Sequence, residues 1–407
     1  MHTIRMDPRI LARNFQLTRV PPGFIDDPYP YYAALREHDP VHELEGGGVF
    51  LSRYDDVMAV YRDARALSDK KAEFKPKFGD TPLYAHHTSS LVFNDPPLHT
   101  RVRRLLMGAL NQRAIARMEA DLVRLVDGLL DDIADKREFD FIDAFAAQIP
   151  IEVIGNLLGV PKNDREPLRG WSLAILSGLE PAPGEEILER GNRAVSDFLD
   201  YLGGLVAERR KHPGDYESDV LTRLIQGEKG GEQLTEPELL HNCIFMLNAG
   251  HETTTNLIGN GTWLLLTHPQ EFVRLRANPG LVPAAVEEML RYEGSIQLNN
   301  RQLGAPMEIG GKVLPKGTFI TIGIGAANRD PAQFPDAERF DVGRKPNRHI
   351  AFGQGDHACA GMNVARLEAR VAIGRLVARF PKLALAGVPE RDRRVRFRGF
   401  RHLPVHT

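Results

Sequence analysis

Along the chain, apolar positions alternate with polar ones in short runs and then settle into a three- and four-residue period. After the Pro-rich entry PPGFIDDPYP, YYAALREH is amphipathic, and VHELEGGGVFLSRY alternates about a run of glycines, which predicts a helix followed by a strand pair closed by a turn. From residue 102 to about residue 210 the period is helical, as in LVRLVDGLLDDIAD. Between residues 293 and 321 short strands and turns return, as in MEIGGKVLPKGTFITI. Helix resumes in GMNVARLEARVAIGRLVARF, and RVRFRGFRHLPV closes on a strand-like piece. The expected fold is mainly α, with a small sheet drawn from residues about 40–55, 295–323 and the C-terminal segment. Because both ends feed that sheet, residues 1–407 are expected to form a single interwoven domain.

One helix is especially well specified. Thr235-Glu236-Pro237-Glu238 reads as a capping box, with Thr235 as N-cap and Pro237 in the first turn, where its missing N–H costs nothing. The apolar pattern then runs to Pro269, about 48 Å at 1.5 Å per residue. Its centre, Ala249-Gly250-His251-Glu252-Thr253, is rich in poor helix formers. A hydroxyl bonding back one turn tends to bend or open a helix there, freeing carbonyls for water. A small-residue packing notch explains the run equally well, while Glu252 beside Thr253 also suits a proton relay.

Composition narrows the function classes. The chain is 42% hydrophobic and 26% charged with a net charge of -2, which gives no reason to expect nucleic acid as a partner. Two cysteines, Cys243 and Cys359, rule out a disulfide framework and suit a reducing cytoplasm. No stretch reaches the roughly 20 apolar residues of a spanning helix, and MHTIRMDPRILARNF scatters charge through what would be a leader's apolar core. The expectation is a cytoplasmic protein without membrane attachment, monomeric by default.

Cys359 sits in AFGQGDHACAG, where Gly353, Gly355 and Gly361 let the backbone approach a flat partner and turn N–H groups toward the sulfur. A buried inert thiol does not explain three glycines. Structural zinc needs four ligands, and the chain has one other cysteine. Haem iron needs a single protein ligand on its proximal side, which one thiolate supplies.

At these residues the chain resembles the cytochrome P-450 superfamily, of the bacterial type that takes electrons from a ferredoxin. Phe352 to Gly361 fits the haem-binding signature, Ala249 to Thr253 the oxygen-activation motif, and Glu288-Met289-Leu290-Arg291 the ExxR motif. The segment Phe334 to Phe340 is similar to the one that supplies a second arginine, here Arg339, to that motif. The resemblance implies haem b held between the long helix and the Cys359 loop, with Cys359 as axial ligand and Phe352, Gly353 and Gly361 shaping the loop. It implies that Glu288, Arg291 and Arg339 brace that loop, and that His99, Arg103, Arg301 and His357 clamp the propionates. Read without the family, a weak surface pair is the usual case for Glu288 and Arg291, and a solvated charge the commoner one for each cation.

The activity so implied is insertion of one oxygen atom from O2 into a C–H bond of a mainly apolar small molecule, with Ala249, Gly250, Glu252 and Thr253 handling water and protons. No reductase segment is evident, so electrons are expected from a separate ferredoxin and its reductase. Arg104, Arg344, Lys345 and Arg348 are candidate contacts for that carrier. A peroxide-driven peroxygenase and a haem-containing recruitment or sensing module without turnover stand as alternatives.

By the same resemblance the substrate meets residues after Lys75 through Phe93, including Val92, together with Phe245, Asn248, the stretch Ile296 to Asn299 with Gln297 in it, and Phe400. Asn248, Gln297 and Asn299 are polar where apolar residues are the rule, and Gly294-Ser295 replaces a frequent proline. The amides are expected either to cap backbone groups or to address a polar substituent of the substrate, a carboxylate among them, assisted by Lys75, Lys77, Tyr84, His86 and His87.

Overall fold

A computed structural model describes residues 7–110, 112–216, 219–227, 231 and 233–407. The first six residues of the N-terminal stretch considered above lie outside that range. The chain forms two compact units, each built from separated stretches. One comprises residues 1–68, 260–359 and 389–401; the other comprises residues 69–259, 360–388 and 402–407.

The first unit holds a five-stranded sheet. Val41–Glu43 pairs antiparallel with Val49–Leu51 around the expected glycine turn, where Gly46, Gly47 and Gly48 all take positive φ. Gly48 is also required for space, since a Cβ there would lie 2.6 Å from the Phe319 carbonyl oxygen. Val49–Leu51 runs parallel to Ile320–Ile322, and Phe319–Gly323 is flanked in turn by Leu298–Leu303, which carries Ala66–Leu67 at the edge. Val41, Leu51, Val57, Leu303, Ile320, Ile322 and Ile350 bury one face. The C-terminal segment does not extend this sheet as the alternation led us to expect. Residues near Phe397 instead form one isolated antiparallel bridge with Ile296, just before the strand Leu298–Leu303, in which the Gln297 N–H donates to Arg396 O and the Arg398 N–H to Ser295 O. Pro404–His406 pairs with Glu138–Asp140 and Ala384–Leu385 in a separate three-stranded sheet.

The second unit is helical, with a core that includes Phe74, Leu83, Leu106, Ile154, Leu168, Phe198, Leu221 and Leu247. The helix Glu236–Thr267 starts at the capping box: the Thr235 N–H donates to Glu238 Oε2 at 2.9 Å, and the Glu238 N–H donates to Thr235 Oγ1 at 3.4 Å. Here it is called the central helix. It runs unbroken through Gly250, so the local opening considered from sequence is absent. The Thr253 hydroxyl donates to the Ala249 carbonyl at 2.7 Å, taking up the group that an opening would have freed. No helix of the described residues is long and apolar enough to cross a membrane.

Candidate functional site

In the first unit, Cys359 is exposed and closes a loop whose backbone folds on itself. Its N–H donates to the Phe352 carbonyl at 2.9 Å, and the Gly353 N–H donates to Ile350 O at 2.9 Å. Gly353 and Gly355 have φ of 67° and 73°, and a Cβ at Gly355 would stand 2.7 Å from the Tyr61 carbonyl oxygen. Both glycines are therefore demanded by the turn that presents the thiol. His357 ends the single helical turn before it.

The loop is braced from below by Glu288. This carboxylate is fully buried and accepts from Arg291 Nε at 2.7 Å and Nη2 at 2.8 Å, from Asn347 Nδ2 at 3.1 Å, and from the Asp341 N–H at 3.1 Å. The second guanidinium belongs to Arg344, whose Nε lies 3.0 Å from Glu288 Oε1, and not to Arg339. Arg339 is exposed and gives only its carbonyl, which accepts from Arg291 and Arg344. The turn at Asp341, closed by the Arg344 N–H on Asp341 O, swings the later arginine inward. Arg344 is thereby removed from the candidate carrier surface, its side chain only 10% exposed. Arg291 also donates to Asn328 O at 3.0 Å, and Asn328 Oδ1 accepts the Ile350 N–H at 2.8 Å, which carries the brace into the cysteine loop.

A second buried carboxylate escaped sequence reasoning. Glu293 receives Arg398 at 2.6 Å and Arg391 at 2.8 Å, with Arg329 3.7 Å away. Burial alone would raise its carboxyl, but Arg398, Arg391 and Arg329 outweigh that and hold it at about 2. Arg391 in turn lies 3.8 Å over the Phe400 ring, which also meets Trp263, so Phe400 is fixed from behind.

Of the other first-unit residues, Arg301 is nearly buried, donates to Asn300 O at 2.8 Å and lies over the Tyr61 ring. Asn299 donates to the Tyr61 hydroxyl at 3.4 Å and accepts the Asn300 N–H, so its amide serves the strand. Gln297 donates to Gly294 O at 2.8 Å, and its side chain fills the space over Gly325. Two of the three amides thus follow the backbone-capping reading.

In the second unit, His99 and Arg103 sit four apart on one face of the helix Leu98–Ala109, His99 buried and Arg103 partly exposed. Val92 lies in the turn Leu91–Phe93, and Gly361 opens the helix Met362–Arg379. On the central helix, Glu252 is 2% exposed and Thr253 is partly exposed. Both amide atoms of Asn248 are buried without a hydrogen-bond partner. His86 and His87, on the helix Pro82–Ser89, are buried, with ring centroids 5.1 Å apart, and His86 lies 5.7 Å from His241 of the central helix. Burial, with His87 and His241 adding, pushes His86 far below the ordinary imidazole range, and burial helped by Lys77 lowers His87 to about 3. Neither is a cation at neutral pH. Lys77 donates to Glu180 O at 2.7 Å and Lys75 pairs with Asp80 while lying near the Tyr84 ring, so these lysines are committed locally.

The donor set around Cys359 fits a haem-type ligand and not zinc. Among the described residues, the one set of three metal-ligand types within mutual reach is Asp140, Asp143 and His402, which excludes the cysteine. An exposed sulfur on a braced glycine loop is the arrangement a single axial ligand requires.

Comparison with known proteins agrees. A family model described as cytochrome P-450 matches residues 179–396. A relative from Bacillus subtilis named for a biotin-biosynthesis cytochrome P-450 is 35% identical over 387 residues, covering 94% of this chain and 96% of its own. The 6-deoxyerythronolide B hydroxylase of Saccharopolyspora erythraea is 36% identical over 399 residues, with the same coverage of 94% and 96%. Among solved structures, a P-450 in complex with an acyl carrier protein ligated to hexadec-9Z-enoic acid superposes with a TM-score of 0.89 at 34% identity, over 94% of this chain and 99% of that one.

Proposed function

The chain belongs to the cytochrome P-450 family of haem b oxidoreductases, and from that premise we propose that it is a monooxygenase inserting one oxygen atom from O2 into a C–H bond of a mainly apolar small molecule. The observation that carries this reading is the exposed Cys359 thiol on a loop braced by buried Glu288 and Arg291, with Arg344 as the second cation. Cys359 would be the axial ligand, with Phe352, Gly353 and Gly361 shaping its loop, and His99, Arg103, Arg301 and His357 would bind the propionates. When bound through a thiolate, haem supplies the cleavage of O2 and the oxidising power for C–H attack.

This chain's own contribution is protons, position and dryness. Glu252 is buried on the central helix beside Thr253, an acid next to an alcohol, as proton delivery requires. That pair favours O2 over peroxide as oxidant. Electrons would come from a ferredoxin with its reductase, and exposed Arg104, Lys345 and Arg348 suit an acidic carrier. Charge reversal at Arg104 or Arg348 should raise the carrier's KM without changing the carbon monoxide spectrum.

The deciding experiment is spectral and kinetic. The reduced protein with carbon monoxide should give a thiolate-type Soret band that Cys359→His abolishes. Reduced ferredoxin should support substrate oxidation faster than hydrogen peroxide does. The reverse order would make it a peroxygenase, and a normal band without carrier-dependent oxidation would make it a haem-containing recruitment or sensing module.

A further inference from the structure

Buried polar groups in folded proteins are almost always hydrogen-bonded, because an orphan costs about 1–3 kcal/mol. Within the second unit, the polar atoms buried without a partner include Nδ1 of His86, Nε2 of His87, Nδ1 of His241, and Oδ1 and Nδ2 of Asn248. These four residues are between 2% and 7% exposed. On the central helix, His241, Phe245, Asn248 and Glu252 follow one another at steps of four, three and four, which places them on one face within about 60°. Along the axis, Asn248 lies about 6 Å and His241 about 16 Å before Glu252.

The helix Pro82–Ser89 is fastened beside this face. Asn242 Oδ1 accepts the Leu91 N–H at 2.9 Å, and its Nδ2 donates to Ser89 O at 3.3 Å. The fastening fixes the height of His86 against His241. Phe74, Phe78 and Phe93 enclose His87, with ring centroids 5.1 to 5.6 Å apart across that cluster. The result is an apolar wall carrying hydrogen-bonding atoms that have no protein partner.

The chemistry of those atoms is specific. An uncharged imidazole offers one N–H donor and one bare nitrogen acceptor, and an amide offers both as well. A carboxylate would instead need a cation; Lys77 donates to the Glu180 carbonyl, and Lys75 is half exposed, paired with Asp80 at the surface.

We infer that the face formed by His241, Phe245 and Asn248, with His86 and His87 beside it, is a specificity subsite for an uncharged oxygen function, a hydroxyl or carbonyl, on an apolar skeleton. The inference rests on the monooxygenase reading and names the substrate class it takes. It replaces the carboxylate that the sequence suggested.

Optical titration of the haem-loaded ferric protein tests it. The probes are two sets that share a skeleton: dodecane, 1-dodecanol, methyl dodecanoate and dodecanoic acid; and androstane, testosterone and testosterone hemisuccinate. In at least one set the uncharged oxygenated member should bind tighter than both the hydrocarbon and the acid. Asn248→Leu and His86→Phe should each weaken that member about fivefold, the value of one uncharged hydrogen bond, and the hydrocarbon less than twofold. His86→Gln, which keeps a donor and an acceptor, should restore most of the loss. Preference for the acid in both sets, or variants that weaken alcohol and hydrocarbon equally, would overturn the inference. The carbon monoxide spectrum of the same samples separates the two claims, since a thiolate-type band alongside acid preference sinks only the subsite.

Discussion

Glu288 accepts from two guanidiniums, a side-chain amide and a backbone N–H, so every lone pair it presents is used in a place water does not reach. Removing one of the two cations leaves Glu288 to Arg291 alone and a hydrogen bond to a buried charge unmade, which costs about 1.5–3 kcal/mol. Arg344→Leu should therefore lower unfolding free energy in urea by that amount and reduce haem incorporation. Arg339→Gln, at an exposed position, should stay within about 0.5 kcal/mol of the parent. The sequence carried both arginines five residues apart, and the motif pointed to the earlier one. Which of the two turns inward is settled by the turn at Asp341, a matter of backbone path that no spacing rule encodes. The neutrality of His86 and His87 was hidden for a similar reason: in the linear chain they stand beside Lys75, Lys77 and Tyr84 and look like part of a polar cluster, and it is burial first, with the neighbouring imidazoles and Lys77 adding, that removes their charge.

The central helix was the most legible element, because its start depends on four adjacent residues and its length on a simple period. Thr235→Ala should cost about 1 kcal/mol by loss of the Oγ1 acceptor for the Glu238 N–H, measurable by thermal unfolding. The middle of the helix was read less well. Gly250 and the threonines suggested an opening, yet Thr253 closes it by bonding to Ala249 O. Thr253→Val keeps the shape and removes the hydroxyl. It should leave substrate titrations unchanged while a larger share of the electrons consumed ends as peroxide, read as product formed per reduced carrier oxidised.

Across the molecule, Glu293 ties together parts of the chain far apart in sequence. Its partner Arg398 also donates to Ile25 O and Asp26 O, and Arg391 reaches Asn260, all within the first unit. Its carboxyl titrates at about 2 in the fold against 4.5 ordinarily, so its stabilisation is complete above pH 4.5 and is lost as pH falls from there through 2. Glu293→Gln should lower the melting temperature at pH 7 and show a smaller further drop across that window than the parent. No local motif announced this cluster, since its three arginines come from positions 329, 391 and 398.

The parallel pairing of Val49–Leu51 with Ile320–Ile322 has a bearing on how the protein is made. The hairpin at residues 41–51 leaves the ribosome with one edge unsatisfied, and its parallel neighbour follows some 270 residues later. At roughly 5–20 residues per second this is a delay of roughly 15–50 seconds. During that interval the second unit's helices through Gly259 emerge in one continuous run and can begin to fold, while the nascent hairpin waits with its backbone open to other chains. Cys359 is synthesised later still, after both partners of that parallel pairing exist, so slowing translation or raising temperature during expression should cost soluble yield before it affects the fraction of soluble protein that holds haem.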